Sequence, residues 1–287
     1  MAAAVATAGL SDQSPAVRRL SIEILDKLSV PQKISRLAVG LHDEDPVVRQ
    51  AALRVLEHAG ATSELLEAID LLNDPDPEVR QQAILSLSVA TGLSPDLASQ
   101  IRPMLQAEHL GVRARAAHVL LEYASDPEAE STLISMANAN DSHCRLLALN
   151  ALSEAGYSKL YNLVAKALKD PAPRVRAVAA QAILKLSPQD CVFTLVQALN
   201  DEDAYARQEI ARALGTIGEP ALHPTLQALS DPAREDGALM ALEHLPLAQA
   251  GESILEYAHL KIESAPLYHG AHPEPAPGPT ILRFHPG

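Results

Sequence analysis

Apolar side chains recur along this chain on two periods at once. Locally they fall three, four and seven residues apart, the spacing that lines one face of a helix. Over longer distances the same stretch returns about every 31 residues. Arginines mark the long period: Arg18, Arg49, Arg80, Arg113, Arg145, Arg176 and Arg207, at intervals of 31, 31, 33, 32, 31 and 31. One residue before each stand Val17, Val48, Val79, Val112, Cys144, Val175 and Ala206. Four after come Ile22, Leu53, Ile84, Ala117, Leu149, Ala180 and Ala211; seven after come Leu25, Leu56, Leu87, Leu120, Leu152, Ile183 and Leu214. Eight before come Leu10, Leu41, Leu72, Leu105, Ala137, Leu168 and Leu199. So many aligned columns predict one helical unit copied along the chain.

Each unit carries its own start and stop signals. Asp45, Asp76, Asp141 and Asp203 stand where an N-cap belongs, and Pro15, Pro46, Pro77 and Pro173 fill the first helical position, where a missing N–H costs nothing. Gly60, Gly156 and Gly218 follow the last apolar turn, as C-terminal caps do. A second, shorter helix is predicted before each arginine-bearing one, so the unit reads helix, tight turn, capped helix. The units fall near 1–29, 30–60, 61–92, 93–125, 126–156, 157–187, 188–218 and 219–248. The eighth is degenerate, with Gly237 in the arginine's slot and Arg234 displaced. A capping helix over 249–264 completes an array of 1–265, and the proline-rich stretch 266–287 is expected to form an unstructured tail.

A lone hairpin of this kind cannot bury its apolar face, and stacking on neighbours completes the core. The run Asp43-Glu44-Asp45-Pro46-Val47-Val48-Arg49-Gln50-Ala51-Ala52-Leu53, repeated as Asp74-Pro75-Asp76-Pro77-Glu78-Val79-Arg80, resembles the HEAT-repeat family, in particular the short bacterial HEAT-like repeats of the phycobilisome-lyase type. The resemblance covers roughly residues 1 to 245. It implies an all-α fold, a right-handed α-solenoid of about eight hairpins, and it is specific for fold rather than for activity.

Aspartates six residues before the arginines predict a ladder. Asp12, Asp43, Asp74, Asp170 and Asp201 sit at the hairpin turns, where a carboxylate can accept from free N–H groups and from a guanidinium. Paired with Arg18, Arg49, Arg80, Arg176 and Arg207, they are expected to bridge turns of adjacent units. Ala107 and Ala139 take the aspartate's place before Arg113 and Arg145, so the middle of the stack is expected to bend or loosen.

Composition narrows the function classes. Net charge is −13 and no basic patch stands out, which argues against nucleic acid and anionic membrane. Hydrophobic residues make up 47% but aromatics only 3%, so packing rests on Ala, Leu, Val and Ile. No stretch approaches the roughly 18 apolar residues a spanning helix needs, so no membrane insertion is expected. Cys144 and Cys191 read as buried free thiols of a reducing compartment, and a cytoplasmic location is expected.

Chemistry is hard to find. No Walker loop, dinucleotide fingerprint, G-x-S-x-G or H-E-x-x-H occurs. None of the 11 histidines precedes a glutamate, unlike the His-Glu pairs that hold iron in the HEAT-like deoxyhypusine hydroxylases. His269, His272 and Glu274 could hold a metal only loosely, in the tail. No cofactor and no catalysis are therefore expected. What remains is a surface. The position five after each arginine points away from the core, and in the resembled family the second helices line the concave side. That row reads Glu23, Arg54, Leu85, His118, Asn150, Gln181 and Arg212, charged at its ends and more neutral in the middle, near Leu121 and Leu146. A mixed row of this kind suits a protein or peptide. The expectation is a non-catalytic scaffold that binds a protein or peptide partner, or a neighbouring domain of a larger parent protein, along the concave face. The rival reading, from the resemblance, is a phycobilin-lyase-like enzyme or subunit, with His118 and Tyr123 facing a groove.

Overall fold

The structure is a computed structural model that describes residues 2–187, 191–245 and 251. The expected capping helix and tail, with His269, His272 and Glu274, lie outside the described residues apart from Gly251. Unit one pairs α1 (Ala2–Gly9) with α2 (Pro15–Lys27), and unit two pairs α3 (Lys33–Ala38) with α4 (Pro46–His58). Units three and four hold α5 (Thr62–Glu67), α6 (Pro77–Thr91), α7 (Pro95–Ile101) and α8 (Leu110–Ala124). Units five and six hold α9 (Pro127–Ala137), α10 (Ser142–Glu154), α11 (Tyr161–Ala167) and α12 (Pro173–Leu186). Units seven and eight hold α13 (Cys191–Gln197), α14 (Ala204–Ile217), α15 (Glu219–Ala228) and α16 (Glu235–His244). In units two to four the first helix tightens into a 3₁₀ turn, Val39–His42, Ile69–Asn73 and Arg102–Gln106, before the chain reverses.

The helices begin where local chemistry tells them to. The Asp45 side chain accepts from the Val47 N–H, Asp76 from Glu78 and Val79, Asp141 from His143 and Cys144, and Asp203 from Ala206. Each such cap contributes about 1 kcal/mol. Gly60 and Gly156 leave their helices at φ of 65° and 61°, a conformation that costs a side-chain-bearing residue.

Stacking supplies the core. Every residue in the columns four and seven after the arginine is buried, from Ile22 and Leu25 to Ala211 and Leu214. Burying one Leu or Ile contributes about 1.5–3 kcal/mol, and the buried side chains form one continuous cluster from Ala6 to Leu245. Successive arginine-bearing helices pack closely on one another along the whole array, so they form a continuous second layer.

The ladder has a definite sense: where a rung forms, the arginine reaches forward to the aspartate of the following unit. Arg18 meets Asp43, Arg49 meets Asp74, Arg145 meets Asp170 and Arg176 meets Asp201. All four pairs are bidentate, Nε to Oδ2 and Nη2 to Oδ1, at 2.6–2.8 Å. The remaining nitrogen, Nη1, donates to carbonyls of the arginine's own turn, as from Arg49 to Asp43 and Glu44. Each ladder aspartate also accepts the N–H two residues on, as Asp74 does from Asp76. The rung therefore joins two turns and the start of a helix.

Three expected rung members differ. Arg80 donates only to the carbonyls of Asp74 and Pro75, because the carboxylate it would reach is replaced by Ala107. Arg207 donates to the Asp201 carbonyl while its Nε is buried without a partner, because Asp231 is held by Arg234 at 3.0 Å. The Asp12 carboxylate accepts the Ser14 N–H but meets no guanidinium, Arg18 reaching only the Asp12 carbonyl. Forward pairing also means that Ala107 and Ala139 leave Arg80 and Arg113 without a carboxylate, whereas Arg145 is paired. Unit eight has Gly237 at the arginine's slot because a Cβ there would run into the Leu199 carbonyl.

Candidate binding face

The row five after the arginines divides into three parts. At the N-terminal end Glu23 joins Arg19 at 2.7 Å on its own helix and Arg54 at 3.2 Å on the next. At the other end Gln181 lies 3.4 Å from the Glu209 carbonyl, and Arg212 donates to Glu209 at 2.6 Å. These ends are solvated charge networks worth little individually. Between them Leu85 is half-buried and Asn150 is exposed.

His118 departs from the expectation of an open surface position: it is only 5% exposed. Its neighbour in the expected neutral patch, Leu121, belongs to the core, while Leu146 is half-buried. The cause is the unit boundary, where α8 and α10 close over the imidazole. Arg115 Nη1 lies 3.1 Å from His118 Nδ1 and donates to Glu154 at 2.8 Å. Glu154 is 3.4 Å from the same ring nitrogen. On the other side Nε2 stands 2.9 Å from a Glu122 oxygen, without the alignment of a hydrogen bond. Burial, then the Arg115 charge, pushes the imidazole's pKa below its ordinary value, opposed by Glu154 and Glu122. His118 is therefore neutral near pH 7.

This cluster lines a cavity of about 110 Å³ with Gln81, Gly111, Asn150 and Glu154, on the layer of arginine-bearing helices and drawing on units three, four and five. It opens where the ladder lacks its two rungs. Gly111 permits the close approach, since a Cβ there would strike the Gln81 amide. Glu57 accepts from Gln82 and Ser86 nearby, and Tyr123 is partly exposed, its hydroxyl pKa raised by burial, then by Glu122 and Glu57. The arrangement offers donors and acceptors of both signs in a shallow space, which fits polar groups of another chain. Sequence reasoning placed His118 and Asn150 here but missed Arg115, Gln81 and Glu154. Arg115 lies two residues past Arg113 and Gln81 one past Arg80, and both project to the same side as the row, a signal within reach of the same helical geometry.

No metal-binding group of three or more His, Cys, Asp or Glu occurs among the described residues, and no described helix is long and apolar enough to cross a membrane. Cys144 and Cys191 are both buried, and burial pushes the Cys144 pKa up.

A HEAT-repeat family model matches five overlapping stretches, residues 3–88, 34–120, 63–153, 99–183 and 161–243. No curated protein matches the chain. Among solved structures it is similar to Kap95p, in a study of its binding to RanGDP, at 15% identity over 93% of this chain and 44% of that one, with a TM-score of 0.52. Kap121p, bound to the extreme C-terminus of the phosphatase Cdc14p, aligns at 15% identity over 95% of this chain and 36% of that one, with a TM-score of 0.51. The CpcE–CpcF complex of phycocyanin lyase from Nostoc sp. PCC7120 aligns at 21% identity over 90% of this chain and 94% of that one, with a TM-score of 0.41. With five matches spanning its whole repeated region, and an α-solenoid of stacked two-helix units, the chain belongs to the HEAT-repeat family.

Proposed function

We propose that this chain is a non-catalytic scaffold whose concave face, centred on units three to five, binds a protein or peptide. One observation carries the reading: the cavity formed by Gln81, Arg115, His118, Asn150 and Glu154, where side chains of three units converge between missing rungs. Arg115, His118 and Glu154 are already ordered by one another, so a partner's backbone or polar side chains would meet fixed donors and acceptors at low entropic cost. The flanking Leu85 and Tyr123 add apolar contact. Kap95p and Kap121p, which share the fold, are described with the protein partners RanGDP and Cdc14p.

Affinity capture from the source cells with the intact chain tests this, comparing wild type with Asn150→Arg, which fills the cavity mouth from an exposed position. A protein retained by wild type and lost by the variant is the expected result. Equal retention by both would remove the concave face from consideration. A coloured tetrapyrrole co-purifying in place of a protein would favour the lyase reading.

A further inference from the structure

The outer face of unit one is built like the inside of the stack. In units two to seven the residue before the ladder arginine is at most 5% exposed: Val48, Val79, Val112, Cys144, Val175 and Ala206. The residues six after it, Val55, Val119, Ala151, Ala182 and Ala213 together with Ser86, are at most 4% exposed. In unit one the same columns hold Val17 at 39% and Ile24 at 37%, with Leu20 at 50% between them. These columns face the preceding unit, as Ser86 and Gln82 do by donating to Glu57. With Val5 on α1 they line an open cleft of about 720 Å³. A face of this size and polarity, carrying branched apolar residues in core columns, is an interface waiting for its other half.

Asp12 tells what that half carries. It holds the turn that the paired aspartates hold, accepting the Ser14 N–H at 2.8 Å as Asp43 accepts that of Asp45 at 2.9 Å. The Asp43 carboxylate also takes two nitrogens of Arg18, whereas the exposed Asp12 carboxylate meets no guanidinium, Arg18 donating to Asp12 only at its carbonyl. The acceptor end of a rung is thus prepared beside an apolar face of matching register. Among the described residues, neither end face of a second copy supplies the donor. Against an identical face, Arg18 is committed to Asp43 and Arg19 to Glu23. The last described helix, α16, has Gly237 in the arginine's slot, and Arg234 is committed to Asp231.

We propose that the α1–α2 face docks a helical hairpin of another polypeptide that presents an arginine to Asp12 in the ladder's geometry and apolar side chains to Val17, Leu20 and Ile24. This site is separate from the concave face and stands whether or not that face binds anything. The partner continues the stack, so its recognition is the recognition units already practise on one another, a bidentate guanidinium–carboxylate pair over an apolar seam.

The probe is a fluorescein-labelled synthetic peptide with the sequence of residues 30–58, a hairpin that carries Arg49, titrated with the intact chain by anisotropy. Saturable binding is expected, weakened about tenfold by Asp12→Asn, as loss of one interfacial charge pair implies. The peptide with Arg49→Ala should bind about as weakly, and Asp12→Asn should then add nothing. Leu20→Glu, at an exposed position, should abolish binding while circular dichroism stays unchanged. The proposal is overturned by an affinity indifferent to Asp12→Asn or to Leu20→Glu, or by no saturable binding up to millimolar peptide. It is equally overturned if the chain alone sediments as a dimer that Leu20→Glu dissociates, which would give the face to a second copy.

Discussion

Arg49 and Asp74 stand 25 residues apart and meet through two parallel hydrogen bonds, Nε to Oδ2 at 2.7 Å and Nη2 to Oδ1 at 2.8 Å. The same guanidinium holds the carbonyls of Asp43 and Glu44, so one side chain fastens the turn of its own unit to that of the next. Both partners are buried, so removing one strands the other. Asp74→Ala is expected to cost about 3–5 kcal/mol in denaturant unfolding. A loss near zero would mean the rungs merely decorate the stack.

Arg80 provides the contrast. It occupies the same column but finds no carboxylate, keeping two hydrogen bonds to the carbonyls of Asp74 and Pro75. Arg80→Ala should cost about 1–3 kcal/mol, the value of two charge-assisted bonds to partly exposed carbonyls, and less than Asp74→Ala. Equal losses would show that the aspartate half of the rung is idle.

The missing rung can be restored. Ala107 has φ −57° and ψ 140°, close to the −54° and 141° of Asp74. Ala107→Asp therefore needs no backbone change to meet Arg80, and should stabilise the chain by about 0.5–1 kcal/mol, read as a rise in unfolding midpoint. A fall in the midpoint would mean that the break is imposed by packing rather than by the absent carboxylate.

Acid should loosen the ladder. Burial raises the carboxyl pKa values of Asp43 and Asp170, but hydrogen bonds from Arg18 and Arg145 and from the turn N–H groups outweigh it and hold both below the ordinary range. Since their folded values lie below the unfolded value of about 3.9, the unfolded chain binds more protons and stability rises with pH across that interval. The contribution is complete above the unfolded value and is lost as pH falls through the folded ones. His118 acts in the same direction at higher pH: its folded value is depressed, so its share is complete above an unfolded value of about 6.5 and declines as pH falls. In a proton-detected histidine titration, Arg115→Gln should move the His118 midpoint up and Glu154→Gln should move it down. No change with either would exclude the charge network around the ring.

Much of this architecture is legible in the sequence because its period is the helix's own. The columns four and seven after the arginine can only be core if the helix is a helix, and Asp45 or Pro46 marks a start whatever surrounds it. Rung partners were less legible. Asp and Arg lie six apart in sequence within a unit, yet the pairing spans 25 residues to the following unit, a choice made by how hairpins stack. Asp231 keeps its column but is taken by Arg234 within its own turn, which no column could show. The burial of His118 was invisible for a similar reason: its position on α8 points outward, but α10 approaches closely enough to cover it. Asn150, one unit further along the same row, stays open.

Hydrogen exchange of the intact chain, alone and with its captured partner, locates the binding face most directly. Slower exchange is expected in α6, α8 and α10, around Gln81, Arg115 and Asn150, with the first helices α5, α7 and α9 unchanged. Protection confined to those first helices, or none anywhere along the array, would contradict the concave-face reading.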